Sequence, residues 1–85
     1  MNPRQPRVTG DEAVRALKRG GWYFDHQRGS HVYLRHPSRG GLVSVPVHVG
    51  EIIKPKTMRS ILDQAGLSAD ELRALLQVLS LCGAE

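Results

Sequence analysis

Three short strand-like runs, Trp22 to Gln27, Ser30 to His36 and Leu42 to Val47, are separated only by Arg28-Gly29 and by the cluster Pro37-Ser38-Arg39-Gly40-Gly41. The first run is aromatic-rich, the second alternates polar and apolar residues, and the third is β-branched. Links this short join only antiparallel neighbours, because a parallel pair needs a crossover of a dozen residues or more. Residues 22–47 are therefore expected to form a three-stranded meander, with the Gly- and Pro-rich clusters as its turns. Pro46 lacks a ladder donor and belongs at an edge or a strand end.

Helical signals flank this region. Thr9 to Glu12 reads as a capping box opening a helix that turns Ala13, Val14, Ala16 and Leu17 inward, and Gly20-Gly21 ends it. His48 to Lys54 is expected to be a loop. Lys54-Pro55 opens a second helix, with Met58, Ile61, Leu62 and Ala65 in one stripe and Gly66 at its end. Ser68 and Glu71 form another capping box before Leu72, Leu75, Leu76 and Leu79 of a third. The expected fold class is α+β, a two-layer sandwich with one sheet face under helices and the other wet. The expected divisions are an N-terminal arm at 1–8, a folded domain at 9–67, and a C-terminal helix and tail at 68–85.

Alternation places Val32 and Leu34 on one face of the middle strand and His31, Tyr33 and Arg35 on the other. If the apolar pair meets the helices, His31 faces solvent. Residues 1–59 carry eleven Lys or Arg against four Asp or Glu, whereas residues 60–85 carry one against four. The cationic excess thus sits with the part that holds His31, which suits either a polyanionic partner or a solvated basic face. With 85 residues there is little room for a deep pocket, so a large substrate laid across a face is favoured over a small metabolite.

An imidazole can both take and give a proton near neutral pH. RNA supplies its own nucleophile in the 2′-hydroxyl. A protein that cleaves it needs proton transfer and positive charge beside the phosphate. His31 is the candidate base or acid. Arg28, Lys54 and Lys56 are candidates to neutralise phosphate, with the second helix's N-terminus adding its dipole. Tyr33, on the His31 face, is a candidate for stacking on a base, whereas Trp22 reads as core. His48 is expected to approach the same site, and His26 and His36 have no distinguishing context.

Ser30 next to His31 is not a nucleophile–base dyad, since adjacent strand residues point apart. The His26, His31 and His36 spacing suits no metal site, and Cys82, the only cysteine, reads as a small apolar residue. No cofactor is expected. Nothing resembles a signal peptide or a membrane span, so the expected compartment is the cytoplasm.

These residues resemble the HicA toxin family, the messenger-RNA-cleaving halves of HicA–HicB toxin–antitoxin pairs. The stretches that carry the resemblance are Ala16-Leu17-Lys18-Arg19-Gly20-Gly21-Trp22, Gln27-Arg28-Gly29-Ser30-His31, Val45-Pro46-Val47-His48, and residues 57–68 (TMRSILDQAGLS), in the family's order and spacing. The resemblance implies a fold like a double-stranded-RNA-binding domain, helix–three-stranded antiparallel sheet–helix, here with an extra C-terminal helix. It implies a metal-independent endoribonuclease acting on messenger RNA, His31 as the catalytic residue, and a HicB-type antitoxin that covers the site. Arg28, Gly29, Ser30, Tyr33, Lys54 and Lys56 are the expected RNA-binding residues. The alternative is a non-catalytic RNA-binding module using the same basic face. Lys56 stands where family members usually have Gly, and the chain runs past the usual end with Leu75, Leu76, Leu79 and Leu81. That extension is expected to be added core or a self-association helix.

Overall fold

The computed structural model describes the backbone of residues 7–81 and the side chains of residues 7–76. The order is α1 (Gly10–Arg19), β1 (Tyr23–Arg28), β2 (His31–His36), β3 (Arg39–Pro46), α2 (Pro55–Ala65) and α3 (Ala69–Leu81). The strands form one antiparallel sheet in the order β1-β2-β3. This is the α+β sandwich expected, like a double-stranded-RNA-binding domain with a third helix.

Both capping boxes form. The Thr9 N–H donates to Glu12 at 2.9 Å while the Glu12 N–H donates back to the Thr9 hydroxyl at 3.3 Å. Ser68 and Glu71 repeat the exchange at 2.8 and 3.1 Å. At the end of α1 the Trp22 N–H donates to the Leu17 carbonyl and the Gly21 N–H to Lys18, at 3.0 and 3.1 Å. The left-handed residue of that turn is Gly21, with φ 102°, not Gly20. A Cβ on Gly21 would also lie 2.8 Å from the His36 ring. That ring stands edge-on to Trp22 at 5.2 Å.

The core is the inner sheet face against the helices. Val32 and Leu34 of β2 and Val43 and Val45 of β3 are buried with Ala13, Ala16 and Leu17 of α1 and Met58, Ile61, Leu62 and Ala65 of α2. Trp22 belongs to this cluster, and it precedes β1 rather than starting it. α3 packs on α1: Leu72 is fully buried, and Leu75 and Leu76 are partly buried against the core. Leu79 and Leu81 have side chains outside the described residues, as do the ends 1–6 and 82–85 entirely.

Both turns of the sheet depart from the sequence reading. The first turn is Gly29-Ser30, because Arg28 pairs with His31 as the last residue of β1. The Pro37 to Gly41 cluster divides: the turn closes over Pro37-Ser38, and Arg39, Gly40 and Gly41 join β3. Two residues of β3 are extra between the pairs Leu34↔Val43 and His36↔Arg39, so the added length is absorbed as an irregularity in the strand. The loop after β3 is held by an isolated bridge, Ile52 with Thr9, and by the Ile53 N–H donating to Val8 at 2.9 Å.

The β3 edge of the sheet is tied to α2 by side chains. The outward Ser44 N–H of β3 donates to the Gln64 side chain of α2 at 2.9 Å. Arg39, at the start of β3, donates to the Ala65 carbonyl at 3.2 Å, satisfying a helix end that a cation suits.

Candidate active site

His31 begins β2 in the middle of the sheet, so it has a neighbour on each side: Arg28 of β1 and Pro46 of β3. Directly paired residues share a face. Val32 and Leu34 point into the core, and His31 is exposed on the opposite, outer face. Tyr33, half-buried, and Arg35, exposed, follow it there. These five residues of β2 all lie where strict alternation puts them.

The turn that delivers His31 is fastened on both sides. Gly29 takes φ 55°, the backbone that a two-residue hairpin turn requires at its first position and that L side chains resist. The Gln27 side chain donates to the Gly29 carbonyl at 3.0 Å, and the Val47 N–H donates to the Ser30 carbonyl at 2.7 Å. Adding a Cβ at Gly29 meets nothing within 4 Å, so the backbone conformation alone makes glycine the natural residue there.

Pro46 is also one wall of a cleft of about 220 Å³ lined further by His48, Glu51, Lys54, Thr57 and two isoleucines. The cleft lies at the start of α2. That helix has Lys54 at its N-cap with no side-chain cap, Pro55 in its first turn and no acid in that turn, so Glu51 is the acid that shares the cleft with its positive end. His48 and Lys54 thus join the His31 region through Pro46. Lys56, exposed on the first turn of α2, does not line the cleft.

The structure gives His26 a context that sequence did not. β1 carries a bulge: Phe24 pairs with Leu34 and His26 with Tyr33, leaving Asp25 as the extra residue. Asp25 and His26, neighbours that would point apart on a regular strand, meet instead. The His26 Nδ1 lies 2.6 Å from one Asp25 oxygen, and Arg35 Nε donates to the other at 3.0 Å. The His26 ring stacks on Tyr33, with centroids 4.4 Å apart and planes 9° apart. One face of Tyr33 is therefore already occupied. The hydrogen bond from His26 is the largest effect that holds the Asp25 carboxyl below its ordinary pKa; desolvation opposes it, and the hydrogen bond and charge of Arg35 add to the lowering. A clue was present: aspartate is disfavoured inside strands, and its place in the Trp22 to Gln27 run marks the irregularity.

His36 is structural, accepting the Ser38 N–H on Nδ1 at 3.0 Å beneath the Pro37-Ser38 turn. Among the described residues no three His, Cys, Asp or Glu side chains gather as a metal-binding group. No helix among them is long and apolar enough to cross a membrane.

Residues 10–67 match the family model described as the HicA toxin of bacterial toxin–antitoxin systems. The chain belongs to the HicA toxin family. Membership makes it the toxin half of such a pair and implies an antitoxin partner. The match takes in α1, the whole sheet and α2, and stops before α3, so the HicA portion contains every residue of the His31 patch and the adjoining cleft. No curated protein matches the chain.

Proposed function

We propose that the protein is a HicA endoribonuclease that cuts messenger RNA in the cytoplasm with His31 as a catalytic residue, without a metal ion. A HicB-type antitoxin neutralises it by covering the outer sheet face. The observation that carries the reading is the exposed His31 ring between the paired residues Arg28 and Pro46, the second of which also walls the cleft that holds Lys54. RNA lying across this face brings a 2′-hydroxyl to the imidazole. His31 removes its proton as the oxygen attacks the neighbouring phosphorus. Arg28 offsets the charge that builds on the phosphoryl oxygens. Gly29 and Ser30 let the RNA backbone approach the turn closely. Lys54 and Lys56 hold flanking phosphates at the positive end of α2.

The test is cleavage of a messenger RNA by the unaltered chain and by His31→Ala, with the melting curve of each. His31→Ala is expected to lose cleavage and growth arrest while melting like the parent. Cleavage should persist in a chelator and stop when the nucleotide at the cut carries no 2′-hydroxyl. Full cleavage by His31→Ala sinks the assignment. Salt-sensitive binding with no cleavage by either protein would make the chain an RNA-binding module instead.

A further inference from the structure

His26 stands on the same outer face as His31, one strand away. It pairs with Tyr33, and His31 lies two residues before Tyr33 on β2, so the imidazoles are diagonal neighbours. The spacing of an antiparallel sheet puts such residues about 7–8 Å apart. Arg28, opposite His31 and two residues beyond His26, completes the patch.

The His26 ring is held from two directions. Asp25 engages Nδ1 at 2.6 Å, and Tyr33 supports the ring plane. The side chain remains 43% exposed, and among the described residues Nε2 has no hydrogen-bond partner. A carboxylate that fixes Nδ1–H and leaves Nε2 to the solvent is the arrangement by which a positioned imidazole exchanges protons with a substrate. A cross-strand polar contact made only for stability needs neither the open nitrogen nor a second imidazole within reach.

We propose that His26 is the second catalytic residue, the general acid that works with His31 as base, and that Asp25 is its positioning residue. The assignment rests on the ribonuclease reading above. Attack in line places the entering and leaving oxygens on opposite sides of phosphorus, so two separated proton-transfer groups are needed. His31 takes the 2′-hydroxyl proton as the O2′–P bond forms. The P–O5′ bond breaks with its electron pair passing to O5′, which takes the proton from His26 Nε2. The products are a 2′,3′-cyclic phosphate and a 5′-hydroxyl; His31 ends protonated, His26 neutral, and exchange with water restores both. The Asp25 charge offsets that of a proton-donating His26 ring. The other charged or titratable groups facing this ring are Arg28 on its own strand and His31, Tyr33 and Arg35 on β2.

The deciding experiment compares the full chain with His26→Ala, His26→Gln and His31→Ala on two synthetic RNAs. In one, O5′ at the cut is replaced by sulfur, a leaving group that departs without a proton. On the oxygen substrate His26→Ala should lower kcat on the order of 100-fold or more, with little change in KM. On the sulfur substrate the same variant should recover most of the parent's rate, and His31→Ala should not. His26→Gln, which keeps a polar planar group over Tyr33, should behave alike and guards against a folding defect in the alanine variant. Equal losses on both substrates, or no loss on either, overturn the role of His26 and leave His31 standing. A parent chain that cuts neither RNA brings down the ribonuclease reading and this proposal together.

Discussion

Asp25 shows how much one side chain can organise: it binds His26 on its own strand and Arg35 on the next. Because its folded pKa lies below the ordinary value, its contribution to stability is complete above the unfolded pKa, near 4. That contribution disappears as pH falls through the folded value. Thermal melts of the parent and Asp25→Asn should therefore differ at pH 7, with the parent the more stable, and converge as pH drops below about 4. A gap that persists at low pH would mean the carboxylate is not its source. At this scale the exposure of His31 could be read in advance, since Val32 and Leu34 alternate cleanly with it. The meeting of Asp25 with His26 could not be read the same way, because period-two reasoning sends adjacent side chains apart and fails where a strand gains a residue.

Elements were legible where their termini carry chemistry. Thr9 with Glu12 and Ser68 with Glu71 announce α1 and α3 by side chains that complete the first-turn hydrogen bonds. The start of β3 was not legible, because Gly40 and Gly41 signal a turn equally well whether they close it or extend an irregular strand. Close approaches between elements were also hidden. A Cβ on Gly10 would clash with the Pro46 carbonyl oxygen, so α1 starts in contact with the strand end that flanks His31. Gly10→Ala should destabilise the fold by about 1–3 kcal/mol, the range for overpacking. It should also weaken cleavage more than its loss of stability explains. For α3, Leu72 is fully buried against the body although it lies past the family match. Leu72→Ala should cost about 2–5 kcal/mol by chemical denaturation. A cost near zero would make α3 an appendage.

For the molecule as a whole, the cationic surplus of residues 1–59 includes Arg28 and Arg35 on the outer sheet face and Lys54 and Lys56 at the start of α2. Binding of single-stranded RNA by the His31→Ala protein should weaken steeply with salt, and the slope of log K against log[salt] should fall by about 0.7 for each phosphate no longer neutralised. Lys54→Ala should reduce that slope; an unchanged slope would remove Lys54 from the RNA path. The overall layering followed from short links and amphipathic helices, whereas the approach of Asp25 to His26 depends on one extra residue in β1. Removing Asp25 would keep Phe24 opposite Leu34 and His26 opposite Tyr33 and restore strict alternation, yet it would take away the carboxylate that holds His26 and Arg35; removing Gln27 instead would turn His26 to the inner face. A single-codon deletion between His26 and Arg28 should thus be far more damaging than substitutions at the exposed positions of this strand, and a family alignment that slips by one place there would compare side chains from opposite faces.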